Sequence, residues 1–109
     1  METTLFQPGK AFRFEEKVEY SESGIVSKKV IQKETGNLTL FAFDEGQKLS
    51  EHTAPFDALV QVLDGEAEIV IGGNPNILTA GMSIIMPAGI THAVNALSPF
   101  KMLLTMIRS

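Results

Sequence analysis

The sequence predicts an all-β domain of jelly-roll type, with two sheets facing each other, and three observations carry that expectation. Apolar and polar residues alternate with a period of two, as where Ala67, Ile69 and Ile71 oppose Glu66 and Glu68, the pattern of a half-buried strand. Turn residues punctuate these runs at regular intervals, among them Asp44-Glu45-Gly46, Asp64-Gly65 and Gly72-Gly73-Asn74-Pro75. No stretch holds the helical period long enough to form an amphipathic helix. Short strands joined by such turns suit a sandwich or barrel whose chain passes between two sheets.

The elements follow in order. Residues 1–23 mix charges with scattered aromatics (Phe6, Phe12, Phe14, Tyr20) and read as an arm that packs on the sheets or on a partner subunit. Residues 24–109 form the single folded domain, since a chain of 109 residues has room for one core. Its expected strands are 25–32, 38–43, 49–53, 58–63, 66–71, 76–78, 83–86, 92–96 and 100–107. Glu34-Thr35-Gly36-Asn37 turns the first into the second, and Pro55 marks a corner before the fourth. Glycine supplies the positive φ that the Gly72-Gly73-Asn74-Pro75 hairpin demands.

Composition narrows the function. A net charge of −4 without a concentrated Lys/Arg face argues against nucleic acid as a partner. No apolar run approaches the length of a membrane span, and the first ten residues lack the pattern of a secretion signal, so a cytoplasmic protein with no membrane partner is expected. The absence of cysteine removes disulfides, thiolate metal sites and cysteine nucleophiles.

Two spacings carry the chemistry, Gly46…His52…Gly65 and Gly81…Pro87-Ala88-Gly89…His92. They resemble the two motifs of the cupin superfamily, G-x5-H-x-H-x3-E-x6-G and G-x5-P-x-G-x2-H-x3-N. The chain departs from them at Ala54, Ala58 and Ala96, which stand where the motifs have histidine, glutamate and asparagine. The resemblance spans residues 36–107 and implies a double-stranded β-helix, a cupin barrel. It also implies that positions 52, 54, 58 and 92 face one divalent metal ion (Zn, Fe, Mn or Ni). Of those four only His52 and His92 retain a ligating side chain, so a third ligand must come from elsewhere, with Gln61 or Asp57 as candidates if a β-bulge re-aims one of them.

Each histidine also has a plain structural reading as a hydrogen-bonded core residue. Their positions in two separate motifs favour a shared cavity. Around it the expected pocket residues are Ala54, Ala58, Phe41, Phe43, Phe56, Met86, Met102 and Met106, with the two alanines leaving space beside His52 for a small-molecule ligand. Three functions compete: a metal-dependent dioxygenase or isomerase, a metal-independent binding or sensing module without catalysis, and a dimeric structural module. A small stand-alone cupin is expected, with metal and metabolite in the barrel. Finally, 58–63 is apolar on both faces except at Gln61. If Ala58, Val60 and Val62 line the interior, Leu59 and Leu63 lie outside and predict a homodimer through that sheet.

Overall fold

Alternating apolar runs must bury one face, and here two antiparallel sheets bury theirs against each other. The computed structural model describes residues 5–108, and within them nine strands. They are β1 (Ile25–Lys33), β2 (Gly36–Phe43), β3 (Lys48–His52), β4 (Ala58–Asp64), β5 (Glu66–Ile71), β6 (Asn74–Thr79), β7 (Ser83–Met86), β8 (His92–Ala96) and β9 (Phe100–Ile107). A 3-10 turn at Phe14–Glu16 is the one helical element among the described residues. The second hairpin is tighter than the sequence suggested. Gly72 and Gly73, at φ of 56° and 85°, make the whole turn, so Asn74 and Pro75 already belong to β6. Pro75 is tolerated in a ladder because β6 is an edge strand.

The larger sheet has the order β1-β2-β9-β4-β7 and the smaller one β3-β8-β5-β6. No ladder joins the edges of one sheet to those of the other among the described residues, so the expected closed barrel is corrected to an open two-sheet sandwich. The physical reason lies at the edges. β7 is four residues long, β3 is irregular and β6 carries a proline, and each of these features blunts an edge against further pairing. Inside, Phe43 stacks on Phe100 with centroids 4.6 Å apart, and Val60, Val62, Ile69, Val94 and Met102 complete the buried centre.

A second, smaller core lies on the outer face of the larger sheet. There Val18, 1% exposed, plugs a hollow formed with Leu40, Ala42, Val26 and Leu63. The described part of the arm therefore folds back on its own sheet, while residues 1–4 lie outside the described residues. Polar links reinforce it: Tyr20 donates to Asp64, Lys28 to the Lys17 carbonyl and Lys101 to the Glu15 carbonyl.

Candidate ligand site at the histidine end of the sandwich

β4 runs from Ala58 to Asp64, turns at Gly65, and β5 returns to Ile71, which puts Ala58 and Ile71 at the same end of the sandwich. β3 ends there at His52, β7 ends there at Met86 and β8 begins there at His92. Two loops, 53–57 and 87–91, cross between the sheets at this end. They are tied together where the Gly89 amide donates to the Ala54 carbonyl at 2.8 Å and the Ala88 amide donates to Asp57 Oδ1 at 2.8 Å.

His52 stays exposed but is set against His92 by an irregularity. Leu49 packs against the core, and strict alternation from Leu49 would send His52, three residues on, to the opposite face. Instead the register passes from Leu49↔Val94 to His52↔His92, so three steps along β3 match two along β8. The extra residue of this β-bulge turns His52 back toward His92. The Ser50 carbonyl stabilises the bulge by accepting a hydrogen bond from His52 Nδ1 at 2.8 Å.

That bond fixes the proton pattern of the pair. A carbonyl only accepts, so His52 carries its proton on Nδ1 and presents a bare Nε2. The Nε2 of His92 lies 3.1 Å away and donates to it, and the rings meet edge to face with centroids 4.3 Å apart. His92 Nδ1 is buried, on a side chain only 4% exposed, and makes no well-aligned hydrogen bond, with the Ile90 backbone nearby. Burial, followed by repulsion from His52, lowers the His92 pKa below its usual 6.5, and the opposing pull of the Ile90 backbone does not offset this. The ring is neutral at physiological pH.

Two Nε2 atoms at this separation can both reach one ion about 2.1 Å from each. The rest of a divalent site is missing. Among the described residues no group of three or more His, Cys, Asp and Glu side chains could hold a metal ion. Gln61 is on the outward face of β4, opposite the buried Ala58, Val60 and Val62, and the Asp57 carboxylate is engaged by Ala88. Neither joins the histidines. The donor set therefore does not fit a divalent metal centre of three protein ligands.

The other expected pocket residues divide. Ala58, Phe43, Met86 and Met102 are buried, Phe41 packs beside them, and Ala54 and Phe56 are half-buried in the crossing loop. Met86, Ala58 and Met106, all expected at the pocket, stand side by side in one row of the larger sheet at this same end, a register the sequence does not show. Ile71, the cross-strand neighbour of His92, packs against the same cluster.

The family profile described as a cupin domain matches residues 39–107. The chain belongs to the cupin family. A conserved Streptococcus pyogenes protein of unknown function is 33% identical to this cupin over 95% of its chain and 91% of the other, with a TM-score of 0.91. A cupin 2 conserved barrel domain protein from Leptotrichia buccalis is 44% identical, covering 88% of this chain and 47% of that one at a TM-score of 0.85, so this cupin spans about half of that relative. A Desulfitobacterium hafniense cupin superfamily protein shares the fold over the whole of both chains, with 24% identity and a TM-score of 0.91. No curated protein matches the chain.

Proposed function

We propose that this cupin is a binding or sensing module that takes a small organic ligand at the histidine end of the sandwich, without a divalent metal and without catalysis. The observation that carries this reading is the direct His52–His92 hydrogen bond in a donor set too small for a divalent centre. An enzyme acting through a divalent ion needs further donors to hold it, and a metal-free one needs an activated nucleophile or a placed acid and base. A binding site needs only apolar walls and a few convergent polar groups. Ala54, half-buried in the crossing loop, brings no long side chain to this end, and the partly buried Ile71 offers apolar surface there. A sugar or small carboxylate with a hydroxyl to place against the histidine pair suits such walls.

The test is a panel of sugars and small carboxylates, screened by nuclear magnetic resonance of protein with labelled histidine, in chelator-treated buffer. Ligands should move the resonances of both rings, lose that effect in His52→Ala, and be recovered unchanged after prolonged incubation. A panel that leaves both rings unmoved, or a ligand that is converted, refutes the reading.

The same proposal includes a homodimer through the outer face of the larger sheet. It is supported by a groove of about 390 Å3 bordered by Leu59, Ile85, Thr105 and Ile107, with Ile85 61% and Ile107 60% exposed. Leu63, expected beside Leu59 in this contact, is instead covered by the chain's own arm.

A further inference from the structure

The loop 87–91 leads directly into His92, and hydrogen bonds hold it to the rest of the fold along its length. The Gly89 amide donates to the Ala54 carbonyl and the Gly72 amide to the Thr91 carbonyl, both backbone to backbone. The Ala88 amide donates to Asp57 Oδ1, which makes Asp57 the loop's one side-chain tether among the described residues. The need for that tether comes from Pro87. β4 and β7 pair as far as Ala58↔Met86, and the next residue along, Pro87, has no amide with which to continue the ladder. Asp57, adjacent to Ala58, supplies a carboxylate oxygen where the ladder stops and catches the following amide at 2.8 Å. The Ile90 amide closes the turn onto the Pro87 carbonyl at 3.4 Å, so Ile90 moves with Ala88.

Ile90 bears on the histidine pair. Its backbone lies near His92 Nδ1 but out of line for a good hydrogen bond, and the ring keeps on Nε2 the proton that it donates to His52. An imidazole proton goes to whichever nitrogen finds the better acceptor. A shift of the loop that brought the Ile90 carbonyl into line would draw the proton to Nδ1, and two bare Nε2 lone pairs would then face each other across 3.1 Å. As the structure stands, the pair offers one donor on His92 Nε2 and one lone pair on His52 Nε2. A ligand hydroxyl can use both, accepting from the first and donating to the second. The other tautomer offers acceptors alone, which suits only a ligand that donates.

We propose that Asp57 is a positioning residue for this site: by fixing the loop 87–91 it keeps the His92 proton on Nε2 and so matches the histidine pair to a hydroxyl-bearing ligand. The proposal rests on the reading of this end as a ligand site, but its test needs no ligand.

Protein with nitrogen-15 in its histidine rings is studied by nuclear magnetic resonance at neutral pH, where the couplings between ring protons and ring nitrogens show which nitrogen is protonated. Wild type should show His92 protonated at Nε2 and a protected Ala88 amide. Asp57→Ala should move the His92 proton toward Nδ1 and speed hydrogen exchange at Ala88 by about tenfold or more. Asp57→Asn keeps an acceptor oxygen for the amide and should restore both. Gln61→Ala, on the outward face of β4, serves as the control and should change neither. Thermal melts establish that each variant is folded, and the wild-type ring pattern and Ala88 exchange decide the matter if Asp57→Ala is not. A wild-type His92 protonated at Nδ1, an unprotected Ala88 amide, an unchanged His92 ring in folded Asp57→Ala, or Asp57→Asn behaving as the alanine variant does overturns the proposal. A silent ligand panel would remove the ligand site without altering any of these outcomes, so the two readings fail on different data.

Discussion

Single residues determine where this chain can turn and how its site is protonated. Gly65, at φ of 78°, sits so close to the β8–β9 connection that a Cβ would fall on the Pro99 carbonyl oxygen and the Phe100 Cα. Gly65→Ala combines left-handed strain with a backbone clash and should cost roughly 3 kcal/mol or more, read as a lower urea midpoint. A midpoint within error of wild type would show that the connection yields freely. His92 makes a pH prediction. Its folded pKa lies below 6.5, so on acidification the unfolded chain binds the proton first. The stability this ring contributes is therefore full above about pH 6.5 and declines as the pH falls toward the folded value. Urea midpoints measured from about pH 7.5 to about pH 5.5 should fall, and His92→Gln should flatten the dependence. An equally steep fall in the variant would assign it to other groups.

At the level of elements, three β-bulges do work that alternation alone cannot. One turns His52 toward His92. The others place their extra residues, Val30 in β1 and Leu63 in β4, against the arm, where both join the cluster around Val18. Val18→Ala removes two methyl-sized groups from that plug and should cost about 2 kcal/mol, with faster tryptic cleavage at Arg13 as the arm loosens. Unchanged cleavage would mean that the polar links hold the arm without it. Tyr20→Phe should change stability much less, because its bond to Asp64 is exposed to water.

The whole molecule shows where sequence reasoning stops. A groove bordered by Leu59, Ile85, Thr105 and Ile107 crosses β7, β4 and β9 on the outer face, while Ile31 and Leu38 continue the same cross-strand row beneath the arm's phenylalanines. Ile85→Glu places a charge in the open part of that row and should shift the proposed dimer to monomer in light scattering at micromolar concentration. Wild-type protein that is already monomeric would remove the dimer. The nine strands were legible because period-two alternation and glycine turns are local signals. Sheet closure was not, since a sandwich and a barrel each need one buried face per strand and differ only in whether remote edges pair.

The motif spacing determined that His52 and His92 would meet, because fixed turns deliver β3 and β8 to the same end. Alternation determined that Ala58, Val60 and Val62 face inward, while only the regular pairing of β4 in the structure places Gln61 outward, away from the histidines. The tertiary structure decided the rest. It set the bulge that aims His52, the Ser50 carbonyl that fixes its proton, and the register that flanks Ala58 with Met86 and Met106. Each of these depends on which residues of distant strands stand opposite one another. One residue of slip changes that pairing while leaving the pattern of apolar and polar positions along each strand untouched.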